Sequence, residues 1–213
     1  MWTELAEPWQ VSSGLSWESY CEGSIPIAAV IINPDGAILA QGRNRLGGQT
    51  PSSDREIIGG PLAHAELNAL LDLDYSTVNP HQLTLYTTVE PCPLCIGAIC
   101  MAGIKQVHFA ARDGWAGSTN LLHASPYLRN KQIATHGPDN ERLETIVHML
   151  QVACEVHQRH PRFAEFLEVW RSGNPRSVQL GERLYRTGEL GKMRDRGVLI
   201  EAVVLRLIEM MSA

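Results

Sequence analysis

The chain has 213 residues, enough for one domain of ordinary size or for one domain with a helical appendage. A hydrophobic fraction of 44% beside 19% charged residues excludes a disordered or fibrous chain. The net charge of -5 argues against a protein whose main business is wrapping nucleic acid, while leaving room for a local basic patch.

In chain order, residues 12–22 carry a weak helical pattern. Residues 25–32 are short, apolar and branched and read as a strand. Asn33-Pro34-Asp35-Gly36 supplies turn chemistry, and strand character resumes over 38–40, so the pair is expected to form a hairpin. Residues 45–61 are rich in Gly, Ser, Pro and charge and predict a loop, long enough to suggest a functional one. A helix is expected to begin near residues 61–64, with Pro61 in its opening turn, and to run to 72. A strand over 83–88, a nearly all-apolar helix over 93–102 and a strand over 105–110 follow. The alternation implies an α/β sheet with helices packed on it.

Residues 130–135 predict one more strand and 141–158 a long helix with Leu143, Ile146, Val147, Leu150, Ala153 and Cys154 on one broad face. Three shorter helices are expected over 163–170, 177–185 and 196–211. Composition changes at 158–162, where QRHPR interrupts the helical pattern. Residues 1–157 hold 8 Lys/Arg against 16 Asp/Glu, a balance of -8, and residues 158–213 hold 10 against 7, a balance of +3. These features divide the chain into a domain over 1–157 and a helical C-terminal extension over 158–213.

The start of the chain has neither a basic nor an apolar targeting segment, and the longest apolar run, 95–104, is too short to span a bilayer. A cytoplasmic protein with no membrane partner is the expectation. The cysteines are five, an odd number: Cys21, Cys92, Cys95, Cys100 and Cys154. Three of them crowd within nine residues, which suits a metal or redox site in a reducing compartment.

The chemistry concentrates in His64-Ala65-Glu66 and Pro91-Cys92-Pro93-Leu94-Cys95. Cys92 and Cys95 lie three apart at a helix start, so both sulfurs can face one point, where helix amides favour thiolates. His64 can add a nitrogen from the other helix. One imidazole and two thiolates make a three-ligand zinc set, one ion per chain, whose fourth position is left to water or hydroxide. Glu66 can reach that position and move a proton. The pattern matches the zinc-deaminase signature of His-x-Glu followed by Pro-Cys-x-x-Cys. A redox pair would not require His64 or Glu66, and Cys100 lies too far along its helix to complete a four-cysteine structural site. Cys21, Cys100 and Cys154 are expected to be small buried core residues.

On these motifs, residues 25–125 resemble the cytidine/deoxycytidylate deaminase superfamily, on the branch that holds tRNA adenosine deaminases and bacterial guanine deaminases. The stretches that carry the likeness are 25–44, 61–69, 83–103 and 107–118. The resemblance implies a cytidine-deaminase-like three-layer α/β/α sandwich with a mixed sheet of about five strands, followed by the helical extension. It implies His64, Cys92 and Cys95 as zinc ligands and Glu66 as the proton shuttle. It also implies Asn44 as a group that binds the base or sugar, with the backbone of Ala65, Glu90 and Pro91 near the reacting edge. Relatives pair as dimers or tetramers, so a homodimer is expected.

Trp115 is expected at the pocket rim, where it could stack on a base, with Asp113, His123 and Tyr127 nearby. Tyr86 reads as core. The favoured substrate is a free nucleobase, a nucleoside or a related amino-heterocycle that loses its exocyclic amino group as ammonia. The alternatives are adenosine within tRNA and a zinc scaffold that has lost turnover. Nucleic acid is not favoured, because the motif-bearing part is acidic and Arg43, Arg45 and Arg55 read as solvated surface. The basic residues of the extension (Arg159, Arg162, Arg171, Arg176, Arg183, Arg186, Lys192, Arg194 and Arg196) are interspersed with acidic ones. They suit a packing or dimer element with a solvated face.

Overall fold

The structure is a computed structural model that describes residues 2–158 and 162–212. Its elements are α1 (Glu7–Cys21), β1 (Ala28–Ile32), β2 (Ile38–Arg43), α2 (Ala65–Asp72), β3 (Thr84–Val89), α3 (Pro93–Ala102), β4 (Gln106–Ala111), α4 (Pro126–Asn130), β5 (Ala134–His136), α5 (Glu141–Gln158), α6 (Phe163–Gly173), α7 (Pro175–Thr187), α8 (Glu189–Asp195) and α9 (Ile200–Ser212). The five strands form one mixed sheet in the order β2-β1-β3-β4-β5. β1 runs antiparallel to β2 and β3, while β3, β4 and β5 are parallel.

Strand alternation sends the two sets of side chains to different cores. Ala29, Ile31, Leu85 and Val107 face α2 and α3, where Ala65, Ala69, Leu70 and Ile99 meet them. Gly42 sets how closely α2 lies on β2, because a Cβ there would come within 2.1 Å of the Ala69 amide nitrogen and 2.4 Å of the Ala65 carbonyl. On the other face, Trp9 of α1 packs edge-on to Tyr86, and the rings of Tyr86, His108 and His136 stack in a row. Tyr86 is therefore part of the sheet's packing, as its strand position suggests.

The C-terminal helices lie on α1 and α5 instead of on the sheet. Trp17 of α1 and Ile146, Met149, Leu150 and Ala153 of α5 share one core with Leu180, Leu184, Leu190, Val203, Val204, Leu207 and Met210. α5 is consequently buried on all sides from Thr145 to Glu155, not on one face as its amphipathic pattern suggests. The break expected at 158–162 falls largely on residues 159–161, which with Arg159 lie outside the described residues.

Several element boundaries differ from expectation. α1 starts at Glu7, with Pro8 filling a first-turn position that needs no amide donor. α2 begins at Ala65, because His64 is held extended (φ -82°, ψ 152°). The strand expected over 130–135 is displaced to Ala134–His136, since Pro126–Asn130 forms a helical turn capped by Ser125. The expected 196–211 helix begins only at Ile200, after α8 and a left-handed Gly197 (φ 64°). Gly188, also left-handed, closes α7 and allows α8 to start as a separate helix.

Loop 44–64 contains no helix or strand, and it is well anchored. Asn68 accepts from the Ile57 amide and donates to the Arg43 and Ile57 carbonyls. The Arg45 carbonyl accepts from Gly48 and Gly59. Arg43 and Arg45 are not the solvated residues expected. Their side chains are 11% and 3% exposed and pair with Glu18, Glu22 and Glu56. Among the described residues, no helix is long and apolar enough to cross a membrane.

Candidate active site

Two helix starts converge on one point. The chain leaves β3 through Glu90 and Pro91, turns at Cys92, and enters α3 with Pro93 in its first turn. Cys92 is the N-cap, so Cys92 and Cys95 occupy one end of the helix, and Ile96 N donates to the Cys92 carbonyl. His64 is the N-cap of α2 in the same way, its carbonyl accepting from Asn68 N. Both helices thus turn the positive ends of their dipoles toward the cluster, which favours thiolates there.

The ligand atoms form a near-regular triangle. Cys92 Sγ lies 3.6 Å and Cys95 Sγ 3.5 Å from His64 Nδ1, and the two sulfurs are 3.7 Å apart. Tetrahedral zinc, with bonds of about 2.3 Å to sulfur and about 2.0–2.1 Å to nitrogen, requires edges of about 3.8 Å and 3.6 Å. The donor set and its spacing therefore fit a zinc ion with one position open. Among the described residues, these three are the group of metal-ligating type that gathers this closely.

Glu66 is 4% exposed and sits beside the triangle. Its Oε2 accepts from Cys95 Sγ at 3.2 Å and its Oε1 from Thr87 Oγ1 at 3.2 Å. Burial raises its pKa above the usual carboxylate value. The hydrogen bond with Cys95 pulls the Cys92 thiol down to about 4, against its burial and with help from His64. Cys95 is pushed up by its bond to Cys92 and by burial. His64 is raised, mainly by its hydrogen bond to Cys92.

These groups open into a cavity of about 300 Å³ at the carboxyl end of β3. Of the residues singled out from sequence, Asn44, His64, Glu66, Glu90, Cys92, Trp115 and Asp113 line it. Asn44 Oδ1 accepts from Leu46 N at 3.1 Å, so the group it can offer the cavity is its amide NH2. Ala65 and Pro91 are buried behind the lining, and the Pro91 carbonyl accepts from Ser118 N. Glu90 holds loop 112–119 through its side chain. Its carboxylate accepts from Thr119 N and Oγ1 and pairs with Arg112 at 3.5 Å, and a Cβ on Gly117 would sit 2.6 Å from its Oε2. Asp113 Oδ1 accepts from the amides of Trp115 and Ala116 and from Trp170 Nε1. His123 and Tyr127 are not among the lining residues. Cys100 and Cys154 are buried as expected, and Cys21 is partly exposed.

The remaining wall has no counterpart in the motifs. Gln151 and Glu155 of α5 and Phe166 and Trp170 of α6 line the same cavity. α6 crosses the loop that carries Trp115. Phe166 meets Trp115 edge-on at 6.3 Å, the Arg162 guanidinium lies 4.9 Å over the Trp115 ring, and Phe166 packs on Trp170 at 3.8 Å. α5 is tied to that loop by His148 Nε2 donating to the Arg112 carbonyl at 2.7 Å and by Glu144 accepting from Arg112 N. The available signal was a pair of polar residues, Gln151 and Glu155, at helical spacing within the Val147, Leu150, Cys154 stripe.

Fold and site together define a deaminase-type metal centre on a three-layer α/β scaffold. A family model for the cytidine and deoxycytidylate deaminase zinc-binding region matches residues 6–111. Over 114 residues the chain is 32% identical to cytosine deaminase from Candida albicans, across 53% of this chain and 70% of that one. Over 89 residues it is 43% identical to guanine deaminase from Bacillus subtilis, across 40% of this chain and 50% of that one. A solved structure from a study of A-to-I editing by tRNA:A34 deaminases at the wobble position of transfer RNA shares the fold. Its TM-score is 0.53 at 22% identity, covering 67% of this chain and 99% of that one. The chain belongs to the zinc-binding cytidine/deoxycytidylate deaminase family.

Proposed function

We propose that this chain is a zinc-dependent hydrolytic deaminase of a small amino-heterocycle, a free nucleobase, a nucleoside or a close relative. The observation that carries the reading is the His64, Cys92, Cys95 triangle, whose edges suit tetrahedral zinc, with the Glu66 carboxylate against it. Zinc held there supplies Lewis acidity, making a water-derived nucleophile available near neutral pH.

The chain's own groups do the rest. Glu66 takes the proton released as water adds to the amino-bearing ring carbon and passes it to the adjacent ring nitrogen. It then assists the second transfer that lets the amino group depart as ammonia. Water plus the amino-heterocycle gives the carbonyl compound plus ammonia, with no redox change. Asn44 donates from its amide to an acceptor on the ring. Trp115, Phe166 and Trp170 present apolar faces to a planar ring and keep bulk water out. A small substrate suits the cavity, whose volume of about 300 Å³ lies at the lower end of the range for small-molecule sites. Arg43 and Arg45 are already paired with carboxylates, so neither supplies a free charge for RNA phosphates. The same reading expects a homodimer, which sedimentation analysis would test.

The test is ammonia release by the zinc-loaded protein from cytosine, guanine, adenine, their nucleosides and folded tRNA. Turnover of a base or nucleoside that falls about 10²–10⁴-fold in Glu66→Gln at unchanged zinc content supports the reading. Turnover confined to tRNA, or a Glu66→Gln protein as active as the parent, overturns it.

A further inference from the structure

Loop 112–119 carries Trp115 to the cavity, and both of its ends are tied down close to the site. Arg112 is held by His148 and Glu144 of α5, and Ser118 and Thr119 are held by Pro91 and Glu90. The middle of the loop is a turn built on Asp113, whose Oδ1 accepts from Trp115 N at 2.9 Å and from Ala116 N at 3.0 Å. These two bonds shape the turn without fixing where it sits. Trp115 itself is 37% exposed.

The middle of the loop meets α6. Trp170 Nε1 donates to the same Asp113 Oδ1 at 3.3 Å, from 57 residues further along the chain. A Cβ on Gly114 would sit 3.1 Å from Val169 Cγ1, so the turn lies directly on that helix. Phe166 and Arg162 reach the Trp115 ring. Apolar contact is non-directional and tolerates sliding, whereas a hydrogen bond to a carboxylate fixes distance and direction. Trp170 is 5% exposed, so its N–H would go poorly served by water if the turn moved away.

We propose that Trp170 is a positioning residue for substrate binding: its indole N–H, donated to Asp113, fixes the turn against α6 so that Trp115 presents its ring to the substrate. The helical extension is thereby part of the substrate site as well as a packing element. A ring placed in advance spares the substrate the cost of ordering the loop. The proposal rests on the deaminase reading for what enters the cavity, and goes beyond it in saying what places Trp115 there.

The experiment uses the full zinc-loaded chain. Trp170→Phe keeps an aromatic ring beside Val152, Leu167 and Val178 and removes the N–H donor. On the preferred heterocycle it raises KM about three- to thirtyfold while kcat stays within about twofold. Trp115→Ala raises KM as well, and adding Trp170→Phe to it changes KM by less than about twofold, because both act through one ring. Val178→Ala is the packing control, a fully buried member of the same cluster on α7. It lowers the melting temperature and leaves KM within about twofold.

Independent effects of Trp170→Phe and Trp115→Ala on KM overturn the proposal. So does a Trp115→Ala protein with unchanged KM, a fall in kcat alone in Trp170→Phe, or a Val178→Ala protein whose KM rises as much. Fluorine NMR of fluorotryptophan-labelled protein reads the positioning without any substrate, the Trp115 line being identified by its loss in Trp115→Ala. That line is single in the parent and in Val178→Ala, and splits or broadens in Trp170→Phe. A single sharp Trp115 line in Trp170→Phe overturns the proposal whatever the turnover. A split line in a protein that deaminates nothing supports the positioning role and counts against the deaminase reading alone.

Discussion

The two walls of the cavity are built from differently organised sequence. His64, Glu66, Cys92 and Cys95 come from two short segments, each at a helix start, within the 6–111 region shared with the family. Gln151, Glu155, Phe166 and Trp170 come from α5 and α6, beyond that region, and follow no motif. The first wall must place ligand and proton-transfer atoms within about 4 Å of one another, so the metal's geometry dictates residue type and spacing. On the reading proposed above, the second has to present only a flat apolar surface, which many sequences can do. On that reading chemistry is written locally, and contact with the rest of the substrate is distributed over the tertiary structure.

Breaking the first wall has the largest expected effect. Cys92→Ser removes one of three metal ligands, and with it stoichiometric zinc and all detectable ammonia release; stripping the parent protein with a chelator does the same until zinc is restored. Elemental analysis beside the activity assay checks this, and a Cys92→Ser protein that kept one zinc per chain would show that the triangle is not the metal site.

A change in the second wall acts more mildly and on a different parameter. Phe166→Ala opens the face that packs on Trp170 and meets Trp115. The loss of this half-buried ring is expected to cost about 1–3 kcal/mol of stability, read from denaturant unfolding. KM should rise with zinc content unchanged. If kcat fell with KM constant, α6 would belong to the chemistry and the division between the walls would be wrong.

The smallest effect is expected outside both walls. Arg43 and Glu22 tie the end of β2 to the end of α1, and the hydrogen bond from Arg43 holds the Glu22 pKa below its usual value. The folded state thus favours the charged carboxylate. Its contribution is complete above the unfolded value near 4.5 and disappears as pH falls through the lowered folded one. Glu22→Gln should lower the melting temperature by only about 1–2 °C at pH 7, less below pH 4, and leave kinetics unchanged. A thermal-melt series against pH reads this directly, and an equal loss at every pH would mean that packing, not charge, is what Glu22 contributes.

The same contrast governs what could be read in advance. The alternation of strands and helices and the grouping of His64, Cys92 and Cys95 with Glu66 follow from short apolar runs, turn residues and two compact motifs, while the mixed five-strand sheet was legible through the family resemblance. Other features did not follow, and three show why. The burial of Arg45 depends on Glu22 and Glu56, which meet it only after α1 and loop 44–64 fold together. The start of α9 depends on a left-handed Gly197 that no apolar period reveals. The role of α5 as both structural spine and cavity wall depends on α6, α7 and α9 covering its outer face. In each case the deciding contact spans elements distant in sequence, and the local pattern fits more than one outcome.

The most direct measurement of the division between the walls is a side-by-side determination of kcat and KM for Glu66→Gln and Phe166→Ala on the preferred heterocycle, with zinc content verified for both. The account predicts that Glu66→Gln loses kcat while still binding substrate. It predicts that Phe166→Ala keeps kcat within a few-fold while KM rises. Loss of the same parameter in both variants would contradict it.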